Sequence, residues 1–125
     1  RARNIGFSQL SGTVRACSHI VVPALFDHDH GYLLQQPDGR VVFALPFEQD
    51  YTLVGTTDVE FEGDPAGVSI DAAQLDYLCE AVNRSFARPI SQQDVLWSFS
   101  GVRPLVDEPE AIASRVPRDY QLQLD

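Results

Sequence analysis

YLLQQPDGRVVFALPFEQDYTLVGTT, residues Tyr32–Thr57, consists of three strand-like runs joined by two short polar links. Tyr32–Gln35 and Arg40–Pro46 flank Gln36-Pro37-Asp38-Gly39. That tetrapeptide has turn chemistry: Pro presets φ, Asp bonds the local backbone and Gly accepts a positive φ. Phe47-Glu48-Gln49-Asp50 is the second link and leads into Tyr51–Thr57. Links this short impose antiparallel pairing, because parallel neighbours need a crossover of about a dozen residues or more.

Working outward from this meander, Val14–Val22 is rich in β-branched residues and stops at Pro23, so a further strand is predicted upstream. Strand alternation puts Cys17, His19 and Val21 on one face and Ser18, Ile20 and Val22 on the other. Downstream, Asp71 with Gln74 three residues on is a capping-box pattern, and Ile70 with Leu75 fits a hydrophobic staple. Leu75, Leu78, Cys79, Val82 and Phe86 then share one helical face, and Pro89 ends the helix. The segment Asp94–Leu105 holds a strand around Val95–Phe99. A polar loop, Asp107–Arg115, and a last strand, Tyr120–Leu124, complete the chain. Strands, one helix and more strands with tight antiparallel links define an α+β fold. Residues 1–13 read as a linker or truncated element and 14–125 as one domain.

The chain has 125 residues and is 44% hydrophobic, enough for one domain with a real core. It opens on Arg1 and has no Met, so it is expected to be an excised segment of a longer protein. No signal-peptide pattern opens it, and its apolar runs are too short to cross a bilayer. The formal net charge of -9 argues against nucleic acid as a partner. All nine basic residues are Arg, a residue type suited to bidentate recognition of phosphate or carboxylate. Cys17 and Cys79 lack metal or CxxC spacing and read as reduced, apolar residues.

No dinucleotide fingerprint, phosphate-cradling P-loop or nucleophile elbow is present. Asp27-His28-Asp29-His30 reads as a solvated loop rather than a metal site, since adjacent residues rarely converge on one ion. His19 lies inside an apolar strand and is either a satisfied core histidine or a site residue. Arg103, held between Ser100-Gly101 and Pro104, suits anion recognition or an ion pair with one of the 18 acidic residues. Arg118, ahead of Asp119 and Tyr120, reads by itself as a surface charge.

Five segments occur in order: Ser18-His19-Ile20-Val21-Val22-Pro23, Gly55-Thr56-Thr57-Asp58, Gly63-Asp64-Pro65, Trp97 through Leu105, and Arg118-Asp119-Tyr120. Together they resemble the substrate domain of the aerobic, FAD-dependent glycerol-3-phosphate dehydrogenases. The resemblance runs from about Val14 to the C-terminus. It implies a substrate domain that is mainly an antiparallel β-sheet flanked by helices, like that of the glycine/D-amino-acid-oxidase-like flavoenzymes, and a parent enzyme oxidising sn-glycerol 3-phosphate to dihydroxyacetone phosphate. Hydride would leave C2 for FAD and electrons would pass to quinone, in a cytoplasmic parent peripherally associated with the inner membrane. The flavin domain of the same parent chain would be the partner of this piece, which is expected to bind no FAD and to be inactive alone. His19 matches the histidine that faces the substrate, where it would accept or hold the proton of the C2 hydroxyl. Arg103 matches an arginine of the substrate anion site and Arg118 a second one. Ala16 and Cys17 depart from a more usual Lys and Gly, and Pro117 stiffens the approach to Arg118.

The resemblance thus makes His19 and Arg103 the catalytic candidates and His19, Arg103 and Arg118 the substrate-binding set, with no metal or cofactor ligand in the chain. Two other readings remain: a standalone binding module for a small phosphate ester, and a related flavin oxidase or dehydrogenase acting on an amine or 2-hydroxy acid.

Overall fold

The computed structural model describes residues 12–106. The segment 1–11, the loop Asp107–Arg115, the predicted strand Tyr120–Leu124 and Arg118 lie outside the described residues.

The meander forms as its turn chemistry dictates. Strand β2 (Tyr32–Gln35) pairs antiparallel with β3 (Val41–Phe47), and β3 with β4 (Tyr51–Gly55). In the first turn Gly39 sits at φ 83°, and its N–H donates to the Gln36 carbonyl at 2.9 Å. The Asp38 carboxylate accepts from the Arg40 N–H at 2.9 Å, which is the local bond that Asp supplies in turns. The long strand β1 (Gly12–Pro23) begins two residues ahead of the predicted domain start. Its second half pairs with β4, and its Arg15–Ala16 segment pairs with the short β5 (Val59–Glu60). Its other edge pairs along almost its whole length with β6 (Trp97–Val106). Every pairing is antiparallel.

Three details differ from the sequence reading. The fourth strand stops at Gly55, because Thr56 and Thr57 turn their polar groups to Ser18: the Thr57 N–H donates to the Ser18 carbonyl at 3.1 Å. The last described strand starts at Trp97 rather than Val95, because a 3₁₀ turn at Gln92–Asp94 takes the chain through Val95 first. Strand β5 has only two residues, too few to show a period in the sequence.

The helix α1 (Ala72–Ser85) has Asp71 as N-cap, its carboxylate accepting from the Gln74 N–H at 2.8 Å. The Gln74 side chain accepts from the Thr57 hydroxyl at 2.9 Å, tying the helix to the sheet. Leu78, Cys79, Ala81 and Val82 of α1 pack on Ile20, Val22, Leu34, Val42, Ala44 and Val54, with Ile70, Leu75 and Phe86 at the rim. The core therefore lies between α1 and one face of the sheet. Among the described residues the opposite face is uncovered: Leu33, Phe43, Leu45, Tyr51, Trp97 and Phe99 are all exposed, Leu33 at 62% and Trp97 at 56%. Soluble chains rarely leave a contiguous apolar face of this kind open unless something binds there.

Candidate substrate face

The candidate residues His19 and Arg103 lie on this open face, where strand pairing sets their neighbours. His19 on β1 stands directly opposite Gly55 of β4 on one side and Phe99 of β6 on the other. Its imidazole stacks on the Phe99 ring, with centroids 4.9 Å apart and planes 7° from parallel. Trp97 packs beside Phe99 at 5.2 Å. Strand alternation carries the same face down β1 and β6 to Arg15 and Arg103, which are themselves opposite one another.

The two arginines are held differently. Arg15 is engaged: its Nε and Nη2 donate to the Asp58 carboxylate and backbone carbonyl, each at 2.9 Å. Arg103 has no ion pair among the described residues. Two cations facing each other would repel, so the Asp58 charge beside Arg15 leaves Arg103 as the uncompensated positive charge of this part of the face.

His19 is partly buried, and its Nδ1 is enclosed without a hydrogen-bond partner among the described residues. Burial first, and then the positive charge of Arg103, hold its pKa below the ordinary value of 6.5. The ring is therefore neutral at physiological pH, the form able to accept a proton. An enclosed, unpartnered polar atom is uncommon in native structures.

The sequence motifs acquire physical meaning here. In Gly55-Thr56-Thr57-Asp58, Gly55 leaves the space that the His19 ring occupies. Thr57 accepts from the buried Ser18 N–H at 2.9 Å and fixes the strand beside His19. Asp58 holds Arg15. In Ser100-Gly101-Val102-Arg103, the Ser100 hydroxyl bonds the Ser18 hydroxyl at 2.8 Å and the strand carries Arg103 onto the open face. The candidates His19 and Arg103, singled out in the sequence, share this face with Arg15, Gly55 and Phe99, which the sequence did not single out as candidates. The signal for these lies in the pairing register, which joins distant segments.

The remaining candidates stay apart. Asp27–His30 is an exposed loop in which His28 bonds the Tyr32 hydroxyl at 2.7 Å, and no group of metal ligands gathers among the described residues. Cys17 and Cys79 are free and buried, and burial pushes the Cys79 thiol pKa up. An open recess of about 510 Å³ lies between α1 and the turn at Ser91–Gln93, away from His19. No helix of the described residues is long and apolar enough to cross a membrane.

Residues 8–122 match the family described as FAD dependent oxidoreductase. The chain belongs to that FAD-dependent oxidoreductase family. Among its relatives, a glycerol-3-phosphate dehydrogenase of Pseudomonas aeruginosa is 46% identical over 86% of the chain and 21% of that protein. A D-erythritol 1-phosphate dehydrogenase of Brucella abortus is 45% identical over 98% of the chain and 25% of that protein. The crystal structure of a glycerol-3-phosphate dehydrogenase from Bacillus halodurans complexed with FAD superposes with a TM-score of 0.70. It is 31% identical and covers 79% of this chain and 20% of that one. This member of the family thus spans about a fifth to a quarter of the length of such relatives.

Proposed function

We propose that the chain is the substrate-facing part, residues 14–125, of an FAD-dependent dehydrogenase that oxidises a polyol phosphate, with sn-glycerol 3-phosphate going to dihydroxyacetone phosphate. The observation that carries this reading is the partly buried His19 on the same, otherwise apolar, sheet face as Arg103, which has no ion pair among the described residues. An alcohol losing hydrogen needs a proton acceptor at its hydroxyl, and a phosphate ester needs a fixed cation some distance away.

The described residues fit a flat, apolar-faced cofactor lying against them: the face around His19 presents Phe43, Leu45, Trp97 and Phe99. FAD, held by the parent's other segments, would supply the hydride-accepting chemistry at C2. His19 accepts or holds the C2 hydroxyl proton, and the product is a ketone. Arg103 and Arg118 are the substrate-site arginines, one taking the phosphate through its fork of donors and the other steadying the developing ketone oxygen. The apolar strands exclude water around the reacting carbon. The flavin domain of the parent covers the open face, quinone takes the electrons onward, and the parent associates peripherally with the inner membrane on its cytoplasmic side. The 125-residue chain alone, with or without added FAD, turns over no substrate.

A second substrate, D-erythritol 1-phosphate, is favoured by the relative of that specificity, which matches 98% of the chain at 45% identity. Both are phosphate esters of polyols, so the same two residues serve either. A substrate panel on the flavin-loaded parent tests the reading. Turnover of one or both phosphate esters with no turnover of glycerol is expected. Preference for an amine or a non-phosphorylated 2-hydroxy acid would overturn it.

A further inference from the structure

The imidazole of His19 has two walls to which proton transfer assigns no role. One is the backbone of Gly55. A Cβ placed on residue 55 would overlap His19 Cδ2 and lie 2.7 Å from Cγ and 2.9 Å from Nε2, closer than side chains pack. Opposed residues of an antiparallel pair normally set their Cβ atoms about 4.5–5.5 Å apart and share the space above the sheet. Here one partner cedes that space wholly to the other. The second wall is the Phe99 ring, nearly parallel to the imidazole at 4.9 Å. Phe99 is 39% exposed, so core burial does not account for an aromatic residue there. A phenyl ring has a flat face and no polar atom to compete for the ring nitrogens. The charged groups near this slot are Arg103 on β6 and the Arg15–Asp58 pair, while β4 contributes no charged side chain to this face.

We infer that Gly55 and Phe99 are positioning residues, one backbone wall and one aromatic wall of a slot that sets the plane in which His19 meets the substrate. The inference rests on His19 being the group that handles the substrate hydroxyl, and it extends that reading to the two residues that wall its ring. The slot removes ring rotation at the cost of an unpartnered Nδ1. Such orientation is effective because a small misplacement of a reacting group costs much of the rate.

The test uses NMR of the isotope-labelled 125-residue chain as wild type, Phe99→Leu, Phe99→Tyr and Gly55→Ala. In Phe99→Leu the ring-current displacement of the His19 ring protons should vanish and the His19 titration midpoint should rise toward 6.5. Phe99→Tyr should restore both, which a role in general stability would not require. Gly55→Ala should abolish the inter-ring nuclear Overhauser contacts between His19 and Phe99. Should Gly55→Ala not fold, the two Phe99 variants decide alone. In the flavin-loaded parent, Phe99→Leu should lower kcat by about 10- to 100-fold with KM little changed, and Phe99→Tyr should recover it. Unchanged His19 shifts and midpoint in Phe99→Leu, or equal loss of kcat in the Leu and Tyr variants, would overturn the inference. A parent that oxidised neither polyol phosphate would remove the proposed function, while the NMR readouts would still report whether the slot exists.

Discussion

At the scale of the residue, His19 combines placements that are costly separately. It is a titratable ring on a mostly buried strand, beside a cation, with one nitrogen enclosed and unpartnered. The consequence for stability has a definite sign. Because the folded-state pKa lies below the unfolded value of about 6.5, the unfolded chain binds the extra proton first as pH falls. The His19 contribution is intact above pH 6.5 and is lost as pH falls from there through the folded pKa. Replacing His19 with Gln should therefore flatten the stability profile across that window and leave it unchanged above. Urea denaturation of both proteins at a series of pH values measures this, and parallel profiles would contradict it. The sequence alone shows that His19 shares a face with Cys17 and Val21. That the same face brings it to Phe99 and Gly55 depends on long-range register, to which local patterning is blind.

At the scale of the element, α1 covers the core side of the sheet and keeps that side out of play for binding. Leu78 is fully buried at the centre of this contact. Leu78→Ala removes apolar contact and leaves a cavity, so a loss of about 2–5 kcal/mol is expected in chemical denaturation. A loss under about 1 kcal/mol would mean that the helix packs loosely. The helix, its Asp71 cap and the meander were legible in the sequence because their causes are local: a cap three residues from its partner, an apolar stripe at helical spacing, and Pro-Asp-Gly in a turn. Other features were not legible because their causes are tertiary. Gln74, placed for a capping box, gives its side-chain carbonyl to Thr57 across the core. Thr56 and Thr57, β-branched and strand-like in sequence, leave the ladder to bond Ser18. Val95, apolar and two residues ahead of Trp97, caps a 3₁₀ turn instead of joining the strand.

At the scale of the whole molecule, the described residues form a two-layer structure with one closed face and one open face. The open face carries Leu33, Phe43, Leu45, Tyr51, Trp97 and Phe99 around His19, Arg15 and Arg103. A face this apolar should associate with itself when no other surface covers it. Sedimentation at rising concentration should show dimers or larger species, and Leu45→Lys should shift the distribution toward monomer. A strictly monomeric profile for the unmodified chain would count against an interdomain role for this face. The net charge of -9 makes Arg103 more conspicuous, because an anionic substrate must be drawn to a local cation on an acidic protein.

The most direct test of the substrate-face assignment is an NMR titration of the labelled chain with sn-glycerol 3-phosphate, with glycerol as the control. Shifts confined to His19, Arg103 and their neighbours Gly55 and Phe99, produced by the phosphate ester and not by glycerol, are expected. Equal shifts with glycerol, or phosphate-ester shifts confined to the α1 side of the sheet, would contradict the assignment of this face to a polyol phosphate.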